Sequence, residues 1–164
     1  MIRLCAFIIL VMFSLTLSPA QACSPQDKQF YKMVTEDFCE FLKTERKPTD
    51  ALFTVPLLKA IQKANMRNIA WEQKNLGDKP PLGDGIPYQA FPDHAPKCAP
   101  GTNLHVDHTL HMEVMHSFPK EPKANWTDHL ILMKTEHGWK IDDIRYAPDY
   151  KTGLRDALKD AFKP

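Results

Sequence analysis

Trp126-Thr127-Asp128-His129-Leu130-Ile131-Leu132-Met133-Lys134-Thr135, followed by Glu136-His137-Gly138 and then Trp139-Lys140-Ile141-Asp142-Asp143-Ile144-Arg145-Tyr146, reads as a β-hairpin. A three-residue hairpin loop closes on a residue of positive φ, and Gly138 adopts that backbone without a Cβ penalty. This register sets Thr135 opposite Trp139, Met133 opposite Ile141 and Ile131 opposite Asp143. The last pair aims a carboxylate at a branched apolar side chain. The apolar positions of the returning strand also change parity, from Trp139 and Ile141 to Ile144 and Tyr146. One extra residue at Asp142-Asp143 resolves both conflicts, so a β-bulge is expected there.

Before the hairpin, 103–118 alternates strictly. Val106, His108, Leu110, Met112, Val114 and His116 make one face; His105, Asp107, Thr109, His111, Glu113 and Met115 make the other. That period predicts one long half-buried strand. Further upstream, 76–102 collects Pro80, Pro81, Pro87, Pro92, Pro96 and Pro100 with Gly77, Gly83, Gly85 and Gly101. It reads as a long loop, with a short edge strand at 86–91. Two amphipathic helices precede it. The first starts at Ser24-Pro25-Gln26-Asp27 and runs to about Lys43, with Phe30, Val34, Phe38, Phe41 and Leu42 on one side. The second runs from Val55 to about Trp71, with Leu58, Ile61, Ala64 and Ile69 inward. At the far end Thr152 caps a short helix that carries Leu154, Leu158, Ala161 and Phe162. The fold class is α+β.

The chain has 164 residues. Arg3, the apolar run Leu4–Leu17 and Ala20-Gln21-Ala22 have the layout of a cleaved signal peptide over residues 1–22, leaving a single domain over 23–164. The mature part keeps 20 Lys+Arg against 20 Asp+Glu, because only Arg3 leaves with the leader. No basic field exists to attract nucleic acid, and no transmembrane span is expected in the mature chain. Export to the periplasm, or secretion, follows.

Cys5 leaves with the leader, so Cys23, Cys39 and Cys98 remain. Three pairings are open. Lipidation of Cys23 would leave Cys39 and Cys98 to bridge a loop of about 60 residues, which on the chain-entropy model stabilises by about 4 kcal/mol. Ala20 stands where a lipobox prefers Leu, so the soluble cleaved form is the expectation and a lipoprotein anchored through Cys23 the alternative.

Among chemical groups, His105, Asp107, His111 and Glu113 share the polar face of the alternating strand, and His129 comes from the neighbouring one. On a strand, residues two apart lie about 6.5 Å apart on one face, whereas the three-residue spacing of His108 and His111 sends them to opposite faces. The five residues form a candidate binding surface or pocket edge; no metal site is assigned. Neither a nucleophile signature nor a phosphate-cradling glycine motif is present. Asp142-Asp143 is explained by the bulge. No catalytic residue and no cofactor are assigned, and the chain is read as a non-enzyme.

Gln29-Phe30-Tyr31, Asp84-Gly85-Ile86-Pro87-Tyr88 and Gly138-Trp139 through Tyr146, in that order, resemble the nuclear transport factor 2-like superfamily. Within it the chain looks like domain of unknown function 3828, exported bacterial proteins that include the YbjP-type lipoproteins. The resemblance implies helices packed on a curved antiparallel sheet that encloses a pocket in many relatives. No catalytic residue carries over. The expected function is a periplasmic binding or protein-interaction module whose partner is an envelope protein or a small ligand, contacted by the concave sheet face and the 76–102 loop. The alternatives are a small-molecule pocket protein, with weak or no catalysis, and an immunity or inhibitor protein against an envelope-targeted toxin.

Overall fold

The computed structural model describes residues 25–44, 46–106 and 109–163. Residues 1–22, read as a leader, lie outside the described residues, as do Cys23, the expected Ser24 cap and Asp107. The architecture is α+β: α1 (Pro25–Thr44), α2 (Val55–Lys74), β1 (Lys97–Val106), β2 (Thr109–Ser117), a 3-10 turn at Pro122–Ala124, β3 (Trp126–Thr135), β4 (Gly138–Arg145) and α3 (Leu154–Asp160). The four strands form one antiparallel sheet in the order β1-β2-β3-β4.

One face of the sheet is covered. Leu110, Met112, Val114, Leu130, Leu132, Ile141 and Ile144 pack under the inward stripes of the two long helices. In α1 that stripe is Tyr31, Val34, Phe38, Phe41 and Leu42; Phe30 is 49% exposed, so Tyr31 takes the place expected of it. Tyr31 meets Trp139 edge to face at 5.3 Å. In α2 the buried set is Leu57, Ile61, Ala64 and Asn68. Ile69, expected inward, is exposed, because the stripe through positions 57, 61, 64 and 68 turns 69 away onto the flank of the helix. Thr54 caps α2, accepting from the Leu57 N–H at 3.4 Å.

The sheet departs from expectation in three places. The run 103–118 is two strands, because the chain reverses between Val106 and Thr109, which pair with each other. The alternation continues across the reversal, so its period alone could not reveal it. The segment 97–102, expected as loop, belongs to β1. Pro100 is tolerated there because β1 is an edge strand and the register shifts between Pro100 and Asn103. Residues 86–91 form no strand: Pro87 has no N–H, and the Tyr88 N–H turns back on the Ile86 carbonyl at 3.0 Å.

The final hairpin keeps its strands and its bulge but has a tighter turn. Thr135 pairs with Gly138, not Trp139, so Glu136-His137 alone spans it, and Gly138 has φ +96°. The register then slips by one between Leu132↔Ile141 and Ile131↔Asp143. Asp142, the residue left over, is an anchor. Its Oδ1 accepts from Thr54 Oγ1 and from Arg155 Nη2, each at 2.6 Å. Asp143 Oδ1 accepts from the Arg155 N–H at 3.0 Å. The bulge therefore fixes the start of α2 and the start of α3 to one point of the sheet. The helix α3 begins after Gly153, not Thr152: the Gly153 N–H donates to Asp156 Oδ2 at 3.1 Å. A Cβ at Gly153 would stand 2.5 Å from the Ile144 carbonyl oxygen, so the close approach requires glycine.

Of the cysteines described, Cys39 on α1 and Cys98 on β1 are disulfide-bonded, with Cα atoms 5.5 Å apart. The bridge holds the first helix to the edge of the sheet.

Candidate functional site

The other face of the sheet carries two neighbouring cross-strand rows. Glu113 and His129 are direct cross-strand partners, and His129 pairs in turn with Arg145. In the adjacent row Leu104, His111, Ile131 and Asp143 succeed one another across β1 to β4. Cross-strand partners share a face, so His111, Glu113 and His129 stand together as the strand parity predicts.

Each is held by a neighbour. Glu113 Oε2 accepts from the Thr102 N–H at 2.9 Å and from Thr102 Oγ1 at 2.6 Å. These two bonds hold the Glu113 carboxyl below the usual carboxylate range. The approach depends on Gly101, where a Cβ would lie 2.7 Å from the Glu113 Cβ. Glu113 Oε1 is 4.0 Å from His129 Nε2. The His129 ring stacks on Tyr150 at 3.9 Å and 10° and stands 6.4 Å from the ring of His111. His111 Nε2 is 3.2 Å from Thr109 Oγ1.

Desolvation by burial lowers the pKa of both imidazoles. For His111 the neighbouring His129 and Arg145 add to the effect; for His129 the charges of Glu113 and Asp128 oppose it. Burial also raises the Tyr150 hydroxyl, with Glu113 and Asp128 adding to it. Near neutral pH the row therefore offers one carboxylate, two uncharged imidazoles and a phenol. Arg145 is engaged elsewhere: Nη1 donates to Asp156 Oδ2 at 2.9 Å, and Nη2 is 3.2 Å from Asp143 Oδ2. The arrangement suits hydrogen-bonding recognition. Among the described residues, no group of three or more His, Cys, Asp or Glu is placed to hold a metal ion.

Leu104, Met115 and Met133 surround this row at 64%, 42% and 44% exposure. The remaining sequence candidates are placed less fully. The His105 backbone pairs with Leu110 rather than lying in the His111 row, and Asp107 lies outside the described residues.

A second cluster, buried, was missed by pattern reading. The Asp128 carboxylate is fully enclosed beneath the 86–94 segment. Its Oδ2 accepts from Trp126 Nε1 and from the Ala90 N–H, each at 3.1 Å, and its Oδ1 from the Ala147 N–H at 3.0 Å. His116 Nε2 lies 3.4 Å from Oδ2, with its ring stacked on Trp126 at 4.6 Å and 12°. The signal was available: Asp128 and His116 occupy the apolar parity of β3 and β2, where a polar residue implies a built partner set.

Among the described residues no helix is long and apolar enough to cross a membrane. Compared with known proteins, the chain matches no family model, no curated protein and no solved structure.

Proposed function

We propose that this chain is an exported binding module of the nuclear transport factor 2-like type, whose uncovered sheet face docks a protein of the cell envelope. The observation that carries the reading is the asymmetry of the sheet. One face is packed under α1 and α2; on the other, away from the β4 edge that α3 and Tyr150 flank, Leu104, Met115 and Met133 remain exposed around His111, Glu113 and His129. Apolar side chains grouped around a few fixed polar groups are the composition of a contact surface. The Cys39–Cys98 bridge suits an oxidising compartment, in keeping with the leader-like residues 1–22.

The test is the mass of the exported protein, purified gently from its own envelope, under native and then denaturing conditions. A protein-sized mass that leaves on denaturation, and is missing from Leu104→Asp/Met115→Asp, is the expected result. A bare polypeptide in both states would overturn the reading. If the retained protein is a toxin, the module is of the immunity or inhibitor kind.

A second reading, a small-molecule pocket protein, is favoured by one specific feature: a cavity of about 490 Å³ under the Pro/Gly-rich segment. That volume lies in the usual range for small-ligand sites.

A further inference from the structure

The cavity lies between the C-terminal end of α1 and the 79–94 segment. It rests on the second reading alone and is independent of the uncovered sheet face. Phe41, Leu82 and Tyr88, buried or half-buried, give its interior an apolar and aromatic lining, while the more exposed Phe91, Arg46 and Lys79 line it towards its rim. Phe41 and Tyr88 meet edge to face at 4.8 Å. Burial pushes the Tyr88 hydroxyl up to about 12, so this wall carries no charge at any physiological pH.

A segment rich in proline and glycine could collapse into such a space, but this one is tied back at three points by groups outside it. Asn68 Oδ1 accepts from the Leu82 N–H at 3.0 Å. Asp128 Oδ2 accepts from the Ala90 N–H at 3.1 Å. The Tyr146 hydroxyl donates to the Pro87 carbonyl. Two of these anchors are a buried carboxylate and a buried amide, Asp128 and Asn68. The walls are thus held open from the helix side and from the sheet side, the preorganised state that reduces the ordering cost of binding.

The rim gives the sign of the ligand. Among the described lining residues, Arg46 and Lys79 stand against one carboxylate, Asp84. Their present partners are weak. Arg46 reaches Glu40 at 3.4 Å and Lys79 reaches Asp84 at 3.2 Å, all four side chains being about half exposed or more. Pairs of that exposure are weak and screened by solvent, so an incoming anion can replace them. From the apolar interior and the cationic rim we infer that this cavity binds a small organic acid with a medium-length aliphatic or aromatic body. The body lies against Phe41, Leu82, Tyr88 and Phe91, and the carboxylate is met by Arg46 and Lys79.

Calorimetric titration of the full exported chain with dodecanoate, below its micelle concentration, and with dodecanol tests the inference. The expected result is saturable one-to-one binding of the acid, about tenfold tighter than the alcohol, which is the scale of one charge-assisted hydrogen bond. Arg46→Gln is expected to remove most of that preference while leaving the alcohol unaffected. Leu82→Trp, which fills the cavity, is expected to abolish both. Met115→Asp, on the open sheet face, is expected to change neither, which separates this site from the protein-docking surface. Absence of saturable dodecanoate binding, equal affinity for acid and alcohol, or an Arg46→Gln variant indistinguishable from the parent would each overturn the inference. Arg46 is a surface residue, so its variant is decisive even if Leu82→Trp fails to fold.

Discussion

The buried carboxylate of Asp128 accepts a hydrogen bond from the backbone N–H of Ala90, thirty-eight residues earlier in the chain, at 3.1 Å. With the bonds from Trp126 Nε1 and the Ala147 N–H, it fastens both the Pro/Gly-rich segment and the turn after β4 to the middle of the sheet. Asp128→Ala would remove the shared acceptor of three donors around a fully buried position, and a buried donor left unpaired costs on the order of 1–3 kcal/mol. We expect a loss of about 3 kcal/mol in urea denaturation, with Asp128→Asn intermediate. A loss below about 1 kcal/mol would mean the donors find other partners.

The Cys39–Cys98 bridge closes a sequence separation of 59 residues. Constraint of the unfolded chain by a loop of that length is worth about 4 kcal/mol on the entropy model. Reducing agent, or Cys39→Ser with Cys98→Ser, is therefore expected to lower the melting temperature of the protein. A melting curve indifferent to reductant would count against a structural role.

Stability should fall with acid, for reasons the polar row supplies. His129 and His111 have folded pKa values lowered from 6.5. The unfolded chain then binds more protons between those lowered values and 6.5, so stability decreases as pH drops through that window. The Glu113 carboxyl, lowered from 4.5, adds a loss of the same sign further down, as pH falls through its folded value. Denaturation series across this range should show the slope, and His129→Gln should flatten the upper part of it. An unchanged slope in that variant would remove His129 from the account.

Face assignments can be checked by paired substitutions on one strand. Leu110 is fully buried, whereas Met115 is 42% exposed on the opposite parity. Leu110→Asp buries an unpaired charge and is expected to prevent folding, while Met115→Asp should shift stability by less than about 1 kcal/mol. Equal damage from both would contradict the assignment of faces.

Much of this was readable from local rules. The change of parity between Ile141 and Ile144 announced the bulge at Asp142, and the alternation through Glu113 and His129 set these side chains on one face. What escaped was non-local. Pro96, Pro100 and Gly101 have the composition of a loop, yet 97–106 is an edge strand, because an edge needs only half its backbone groups paired and the Cys98 bridge and the Glu113–Thr102 bonds hold it. The reversal between Val106 and Thr109 lacks a glycine turn signal. Leu104 consequently sits opposite His111, where a single strand would have placed it on the other face. Tyr150 joins the site from a turn with φ +57°, which no periodicity indicates.

Whether the open sheet face docks an envelope protein can be read by position-specific crosslinking. A photoreactive side chain at Met115, on that face, is compared in the native envelope with one at Met66, 64% exposed on α2. One discrete protein adduct is expected from position 115, lost when Leu104→Asp is added, and none from position 66. No adduct at 115, or the same set of adducts from both positions, would contradict it.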